Sequence, residues 1–127
     1  NLSGKKALLV EDNEINLEIA TIMLQDLGLI VTPAQNGKEA LDIFEQSNIH
    51  TFDYIFMDMM MPVMDGLEAT RKIRSLNRED AKTTPIIALS ANAFEDDIKE
   101  CLDAGMNAHV AKPIDVNALK EELSLLS

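Results

Sequence analysis

The sequence predicts an α/β fold, a three-layer sandwich in which helices cover both faces of a five-stranded parallel sheet. Short apolar runs alternate five times with longer segments that have the spacing of helices. The runs are almost continuously apolar, as expected of strands buried on both faces, and helical crossovers join such strands in a right-handed sense. With 127 residues, the chain is long enough for one domain with a proper core and too short for two.

Five apolar runs are the predicted strands, and most of them end on a polar residue. In chain order they cover residues 6–10, 30–34, 53–57, 85–89 and 107–111. The first run ends on Glu11 and Asp12, the third on Asp58 and the fourth on Ser90, whereas the fifth is followed by Lys112. Runs of four to eight apolar residues bounded by such polar positions are typical of buried strands.

Five segments with helical spacing lie between and after these strands. They cover residues 14–27, 38–46, a stretch that follows the Asp65-Gly66 turn and ends near 76, residues 94–104 and residues 116–126. Gly28 and Gly105 terminate the first and fourth helices, because glycine readily adopts the left-handed backbone that closes a helix. Asn36-Gly37 precedes the second helix and is typical of a turn.

The charge of the chain restricts its partners. Eleven Lys and Arg against 22 Asp and Glu give a formal net charge of −11. Such a field repels phosphate backbones and anionic lipid, so we expect no binding to nucleic acid and no direct contact with a membrane. The same acidity attracts cations.

Other features of the composition concern compartment and context. The single cysteine, Cys101, cannot form an internal disulfide, which suits a reducing, cytoplasmic location. No apolar run approaches the ~20 residues needed to span a bilayer, and no signal peptide is visible. Because the chain begins at Asn1 without an initiator Met, we expect residues 1–127 to be a single domain excised from a longer multidomain protein, monomeric when isolated.

The polar residues at the strand ends form the candidate site. Parallel strands bring their carboxyl ends to one edge of the sheet, where ligands of open α/β folds bind. Each residue also has an ordinary structural interpretation, because Asp12 or Ser90 can cap a helix and Lys112 can be a solvated charge. Four of the five strand ends nevertheless have polar residues of complementary chemistry, and this combination favours a functional site over separate structural roles.

Three carboxylates, a hydroxyl and an ammonium group indicate metal-assisted phosphoryl chemistry. Clustered carboxylates without nearby Cys or His favour a hard cation, Mg²⁺ rather than zinc. A carboxylate beside that cation can act as a nucleophile and become an acyl phosphate. The lysine, the hydroxyl and the cation would then stabilise charge on the phosphoryl oxygens.

The motifs resemble the receiver domain of two-component response regulators over essentially the whole chain. The resemblance depends on four segments: Glu11-Asp12 after an apolar run, Phe-Met-Asp-Met-Met-Met-Pro-Val-Met-Asp-Gly at 56–66, Leu89-Ser90-Ala91, and Lys112-Pro113. Residues 11–16 and 61–66 are similar to receivers of hybrid sensor histidine kinases. The resemblance implies a flavodoxin-like sheet with strand order 2-1-3-4-5, an order known for this family.

The resemblance also implies a role for each site residue. Asp58 would accept the phosphoryl group, and Mg²⁺ would be held by Glu11, Asp12, Asp58 and the backbone carbonyl of Met60. Ser90 would bond the phosphoryl group when the loop after the fourth strand moves inward.

A second set of implied roles concerns the end of the fifth strand. Lys112 would neutralise a phosphoryl oxygen, positioned by a cis bond to Pro113. His109 occupies the place of a Tyr or Phe whose ring swings inward on activation. It is either a solvated histidine or a pH-sensitive switch that acts with Ser90.

Met60, two residues after Asp58, stands where the family commonly has Gln or Asn. We hypothesise that its apolar side chain limits the approach of attacking water and so lengthens the phosphoryl lifetime.

The first helix has two apolar stripes. Leu17, Ala20, Leu24 and Leu27 share one face, and Ile15, Ile19 and Ile22 lie roughly opposite. One stripe covers the sheet, and the other is either scattered surface isoleucine or a docking surface. The resemblance implies docking of a histidine kinase or a four-helix histidine phosphotransfer domain on Ile15, Ile19 and Ile22, with Pro113 nearby.

The site residues and the resemblance together predict a phospho-accepting domain of a phosphorelay, and the resemblance implies that it lies within a hybrid sensor histidine kinase. It would catalyse only its own phosphorylation and dephosphorylation and pass on the signal by conformational change or by transfer to a histidine phosphotransfer domain. The alternatives are a stand-alone response regulator and a haloacid-dehalogenase-type phosphatase, whose second Asp is replaced here by Met60. A flavin-binding module is disfavoured because Glu11 to Glu14 would repel the flavin phosphate.

Overall fold

The strands and helices alternate as predicted. The computed structural model describes residues 3–59, 64–90, 95–111 and 115–126, with the side chains of all but 95–97 and 126. The strands are β1 (Lys6–Val10), β2 (Ile30–Ala34), β3 (Tyr54–Asp58), β4 (Ile86–Ser90) and β5 (Ala108–Ala111). The helices are α1 (Glu14–Asp26), α2 (Gly37–Gln46), α3 (Gly66–Arg74), α4 (Glu95–Ala104) and α5 (Val116–Leu126).

The sheet is parallel and has the strand order that the resemblance implied, β2-β1-β3-β4-β5. Registers pair Val10 with Ala34 and with Met57, and pair Met57 in turn with Ala88. The carboxyl ends of β1, β3 and β4 therefore lie side by side at the centre of one edge. The three-layer fold and its topology are confirmed.

Two apolar clusters cover the two faces of the sheet. Successive strand residues point to opposite faces, so Leu8 and Ile55 join one cluster while Leu9 and Phe56 join the other. The first cluster packs against α2, α3 and α4, and the second packs against α1 and α5. The strands β1, β3 and β4 are buried at nearly every position and therefore need apolar residues throughout, whereas the edge strand β2 is mostly exposed or half-buried.

Side-chain caps fix the helix starts at the edge where the strands end. Asn13, Asn36 and Asp65 each accept a hydrogen bond from the backbone N–H three residues on, over 2.8–3.0 Å. Such caps satisfy N–H groups that have no partner within the helix and so define where the helix begins. The first turns of α1, α2 and α3 are thereby held beside the strand ends.

Some boundaries differ from the sequence prediction. The third helix ends at Arg74 rather than near 76, because the next N–H, that of Leu76, bonds to the Ile73 carbonyl three residues back instead of four. A short 3₁₀ helix, Glu79–Lys82, was not predicted. Its position depends on the tertiary contacts of Arg78 and Asp80.

Arg78 and Asp80 connect the segment before β4 to the C-terminus of α2. The Arg78 guanidinium lies 4.5 Å from the ring centroid of Phe44 and donates to the carbonyls of Phe44, Ser47 and Asn48. It also contacts both carboxylate oxygens of Asp80, at 2.6 and 3.0 Å. The pair caps α2 at the sheet edge opposite the candidate site.

Candidate metal centre at the carboxyl edge of the sheet

Three carboxylates converge where β1 and β3 end. Glu11, Asp12 and Asp58 each present one oxygen, and these oxygens lie within 4.8 Å of one another. Glu11 and Asp58 are only 2% and 4% exposed, whereas Asp12 is exposed. The pairing of Val10 with Met57 explains why the carboxylates converge, since the residues one step further along each strand are Glu11 and Asp58.

Backbone hydrogen bonds hold both sides of this cluster. The Glu11 N–H donates to the Ala34 carbonyl over 3.0 Å, and the Glu11 carboxylate accepts from the Asn13 N–H over 3.4 Å. Directly after Asp58, the Met59 N–H donates to the Leu89 carbonyl over 3.0 Å. Both buried carboxylates are therefore carried on backbone that is already paired with a neighbouring strand.

The cluster has the donor set of a Mg²⁺ site. Mg²⁺ binds oxygen ligands at about 2.0–2.1 Å, which places ligand oxygens about 3–4 Å apart, and it keeps several waters. Three carboxylate oxygens within 4.8 Å of one another are close enough to bind one such ion together. The site also has one exposed member, Asp12, which leaves an approach from solvent.

Ser90 lies at the same edge, at the end of β4. It is 8% exposed, pairs with Ala111 of β5, and directly follows Leu89, whose carbonyl holds Met59. The structure thus brings a hydroxyl-bearing residue to the strand adjacent to Asp58. The other predicted participants, Met60, Lys112 and Pro113, lie outside the described residues.

His109 is partly buried on β5, in register with Ala88. Its Nε2 is buried and has no hydrogen-bond partner among the described residues. The neighbouring strand residues Ala108 and Val110 pack against α5, so the His109 side chain is directed to the opposite face of the sheet. Its role as a switch stays a prediction.

The isoleucine stripe of α1 is exposed. Ile15, Ile19 and Ile22 are 69%, 54% and 52% exposed, while Ala20 and Leu24 pack into the core. An open groove of about 450 Å³ runs along this stripe. It is lined by Glu14, Ile15, Leu17, Glu18, Thr21, Ile22 and Pro33.

Sequence reasoning missed three contacts near the acceptor position. The Met59 sulfur lies 3.6 Å from the buried Cys101 sulfur of α4, which links the residue after Asp58 to that helix. Gly66 lies against the backbone of Asp58, and Gly37 lies against Met64. Cys101 is separated from Met59 by 42 residues, and nothing local in the sequence signals the pair.

The fold and this cluster define an α/β domain with a cation-binding carboxylate centre at the carboxyl edge of its sheet. A family model for the response regulator receiver domain matches residues 7–124. The chain belongs to this family, the receiver domains of two-component systems.

Individual relatives agree with this assignment. The chain is 41% identical over 121 residues to hybrid signal transduction histidine kinase A of Dictyostelium discoideum, covering 94% of this chain and 6% of the relative. It spans 6–15% of the length of this relative and seven other curated histidine kinases that it matches.

Two solved structures are informative. The receiver domain of sensor histidine kinase PA1611 from Pseudomonas aeruginosa, with magnesium in its active-site cleft, is 41% identical with a TM-score of 0.85, covering 98% of both chains. The Saccharomyces cerevisiae receiver of Ssk1, in complex with the histidine phosphotransfer protein Ypd1, is 30% identical with a TM-score of 0.85, covering 98% of this chain and 89% of that chain.

Within the described part of the chain, every helix is too short or too polar to cross a bilayer.

Proposed function

We propose that Asp58 accepts a phosphoryl group from a phosphohistidine in a Mg²⁺-dependent reaction. The observation that carries the proposal is the convergence of Glu11, Asp12 and Asp58, two of them buried, at the end of adjacent strands. The magnesium in the PA1611 receiver, 41% identical to this chain, supports the choice of cation. Glu11, Asp12, Asp58 and the Met60 carbonyl would hold it.

The chemical step is a transfer between two nucleophiles. An Asp58 carboxylate oxygen forms a bond to phosphorus while the bond from phosphorus to the donor imidazole nitrogen breaks. The imidazole keeps the electron pair of that bond and takes up a proton from water, and Asp58 becomes an acyl phosphate. Bound Mg²⁺ supplies positive charge beside the phosphoryl oxygens.

The remaining site residues act on the transferred group. Ser90, on the strand next to Asp58, donates a hydrogen bond to a phosphoryl oxygen, and Lys112 pairs with another. His109 and Ser90 then change position together as the switch. A hydrolase of the haloacid-dehalogenase type is disfavoured because a methionine, Met60, stands two residues after Asp58.

The phosphohistidine donor docks on the exposed stripe of α1. Ile15 is only four residues from Glu11, so a partner seated on Ile15, Ile19 and Ile22 reaches the carboxylate cluster. The complex of Ypd1 with a 30% identical receiver supports a histidine phosphotransfer protein as that partner. Pro113 would complete the contact, and the isolated domain would be a monomer.

The hybrid signal transduction histidine kinases among the curated relatives support such a kinase as the parent protein. A cytoplasmic location stays a prediction from the single cysteine. A stand-alone regulator that acts by protein contact is the alternative.

Transfer from a purified phosphorylated histidine phosphotransfer protein tests the acceptor. Label should pass to the wild-type chain and to Asp42→Asn, a control at an exposed carboxylate of α2, but not to Asp58→Asn. Label on Asp58→Asn equal to wild type would overturn the assignment.

The docking surface has its own test. The Ile15→Ala/Ile19→Ala variant should accept the phosphoryl group from the protein donor about tenfold more slowly, because truncating a side chain at the centre of an interface can cost more than about 1 kcal/mol. Its labelling by a small acyl phosphate should stay unchanged. Ile49→Ala, which removes an equally apolar and 50% exposed side chain elsewhere, is the matched control. Equal transfer to both variants would exclude docking on α1.

A further inference from the structure

Two glycines lie against the two ends of the loop that follows Asp58. Gly66, the first residue of α3, approaches the backbone of Asp58 and Met59, and its N–H donates to the Met59 carbonyl over 3.3 Å. Gly37, the first residue of α2, approaches Met64 at the other end of the loop. Both glycines are buried. The loop between them contains residue 60, whose carbonyl the proposed function assigns to the metal.

Close contact, rather than backbone conformation, accounts for glycine at Gly37. The positive φ angles among the described glycines belong to Gly4, Gly28 and Gly105, so Gly37 has a φ that any residue can adopt. Alanine would favour the helix more than glycine does, by up to about 1 kcal/mol in a helix interior. The sequence therefore forgoes helix propensity at the start of α2.

A side chain at position 37 would collide with Met64 and with α3. A Cβ at Gly37 would lie 2.5 Å from the Met64 carbonyl oxygen, 3.0 Å from the Ala69 Cβ and 3.1 Å from the Met64 Cβ. Ordinary contact begins near 3.4 Å, so the α2 N-terminus and Met64 would have to separate by about 0.9 Å. The closest atom belongs to the backbone of the loop, which cannot turn aside as a flexible side chain would.

We propose that Gly37 is a positioning residue for the phospho-acceptor loop: its close approach to the Met64 carbonyl sets Met64, at one end of the loop, against α2, while Gly66 contacts Asp58 and Met59 at the other end. The inference rests on the proposed function of Asp58 and adds a residue from a helix that contributes no ligand. A misplacement of about 1 Å in a reacting group can slow a reaction up to a hundredfold. The position of α2 thereby becomes linked to the reactivity of Asp58.

Gly37→Ala tests this, with Gly28→Ala as the matched control. A Cβ at Gly28 would lie 2.8 Å from the Ser3 Cα, and the φ angle of Gly28 is +97°, so alanine is sterically strained at this position too. Gly28 lies between α1 and β2, at the sheet edge opposite the carboxylate cluster. The measurements are the initial rate of labelling by a small acyl phosphate, the Kd for Mg²⁺, and backbone amide exchange of residues 57–66 without metal. All are made below each variant's unfolding transition.

The expected result is specific to the loop. Gly37→Ala should label about tenfold more slowly, bind Mg²⁺ more weakly, and show faster exchange of the Gly66 N–H, while Gly28→Ala should match wild type in all three. Adding Ala69→Gly to Gly37→Ala removes the contact with α3 but not that with the Met64 carbonyl, so it should not restore the rate.

The outcomes separate the two proposals. If wild type and Gly28→Ala are not labelled at all, the proposed function of Asp58 is wrong. If they are labelled and Gly37→Ala matches them in rate and in Mg²⁺ affinity, Gly37 does not position the loop. Full rescue by Ala69→Gly would likewise overturn the proposal, because it would assign the effect to packing between α2 and α3.

Discussion

Replacing Asp58 with asparagine should make the metal-free protein more stable. Asn has nearly the same shape as Asp but carries no charge, so the change removes one of three carboxylates that lie within 4.8 Å of one another. Two like charges at that distance repel by about 3.5 kcal/mol at an effective dielectric constant of 20, and by about 0.9 kcal/mol at 80. Clustered charges that serve function are often retained at such a cost to stability.

The magnitude follows from the burial of each partner. Glu11 is 2% exposed, so its repulsion with Asp58 is only partly screened, whereas solvent screens that of the exposed Asp12 more strongly. Glu11 and Asp58 each have further interactions besides this repulsion. We therefore expect Asp58→Asn to raise the free energy of unfolding in EDTA by about 1–3 kcal/mol.

Urea denaturation with EDTA and with Mg²⁺ measures the effect. Binding to the native state stabilises a protein, so Mg²⁺ should raise the wild-type midpoint and have little effect on Asp58→Asn. Asp42→Asn, at an exposed carboxylate, should behave as wild type in both buffers. The reasoning would be refuted if Asp58→Asn were less stable than wild type in EDTA, or if Mg²⁺ stabilised both proteins equally.

Three further predictions concern burial, pH and lifetime. The buried hydroxyl of Thr70 has no hydrogen-bond partner among the described residues, so Thr70→Val should stabilise the protein by about 1 kcal/mol in urea denaturation, and a loss would contradict this. Burial raises the pKa of Asp80, but hydrogen bonds from Arg78 and the His50 N–H, with the Arg78 charge, outweigh it and hold the pKa below its ordinary 3.8. The lowered pKa adds to the free energy of unfolding, fully above pH 3.8, and this stabilisation is lost as the pH falls through the lower native pKa. The free energy of unfolding, measured against pH, should therefore decline less steeply in acid for Asp80→Asn than for wild type. Equal declines in the two proteins would exclude the effect. Met60→Gln should shorten the phosphoryl lifetime, and an unchanged hydrolysis rate would rule out a role for Met60 in excluding water.

The sheet was predictable because its signal is local. Strands buried on both faces require apolar residues at nearly every position, as in β1, whose bounds at residues 6–10 the prediction matches. The run at 30–34 also matches β2 residue for residue, although this edge strand is mostly exposed or half-buried. The order of the strands came from the family resemblance, since apolar runs alone do not say which strands are neighbours.

The carboxylate cluster was predictable for a related reason. Parallel strands end at one edge, so polar residues placed directly after the apolar runs had to converge there. Glu11, Asp12 and Asp58 do so.

Features that depend on long-range contact were missed. The 3₁₀ helix at Glu79–Lys82 is only four residues long and is fixed by Arg78, which reaches carbonyls more than 30 residues away. Gly37 was interpreted only as a turn before a helix, because its contact with Met64 exists only after α2 and α3 pack together. Local patterns do not encode such distances.

Intact mass after incubation with Mg²⁺ and a small acyl phosphate tests the central claim most directly, with peptide mapping to locate the group. Wild type should gain one phosphoryl group on Asp58, the gain should disappear in EDTA, and Asp58→Asn should stay at its unmodified mass. A wild type that binds Mg²⁺ yet gains no mass, or an Asp58→Asn variant that gains the same group, would contradict the account.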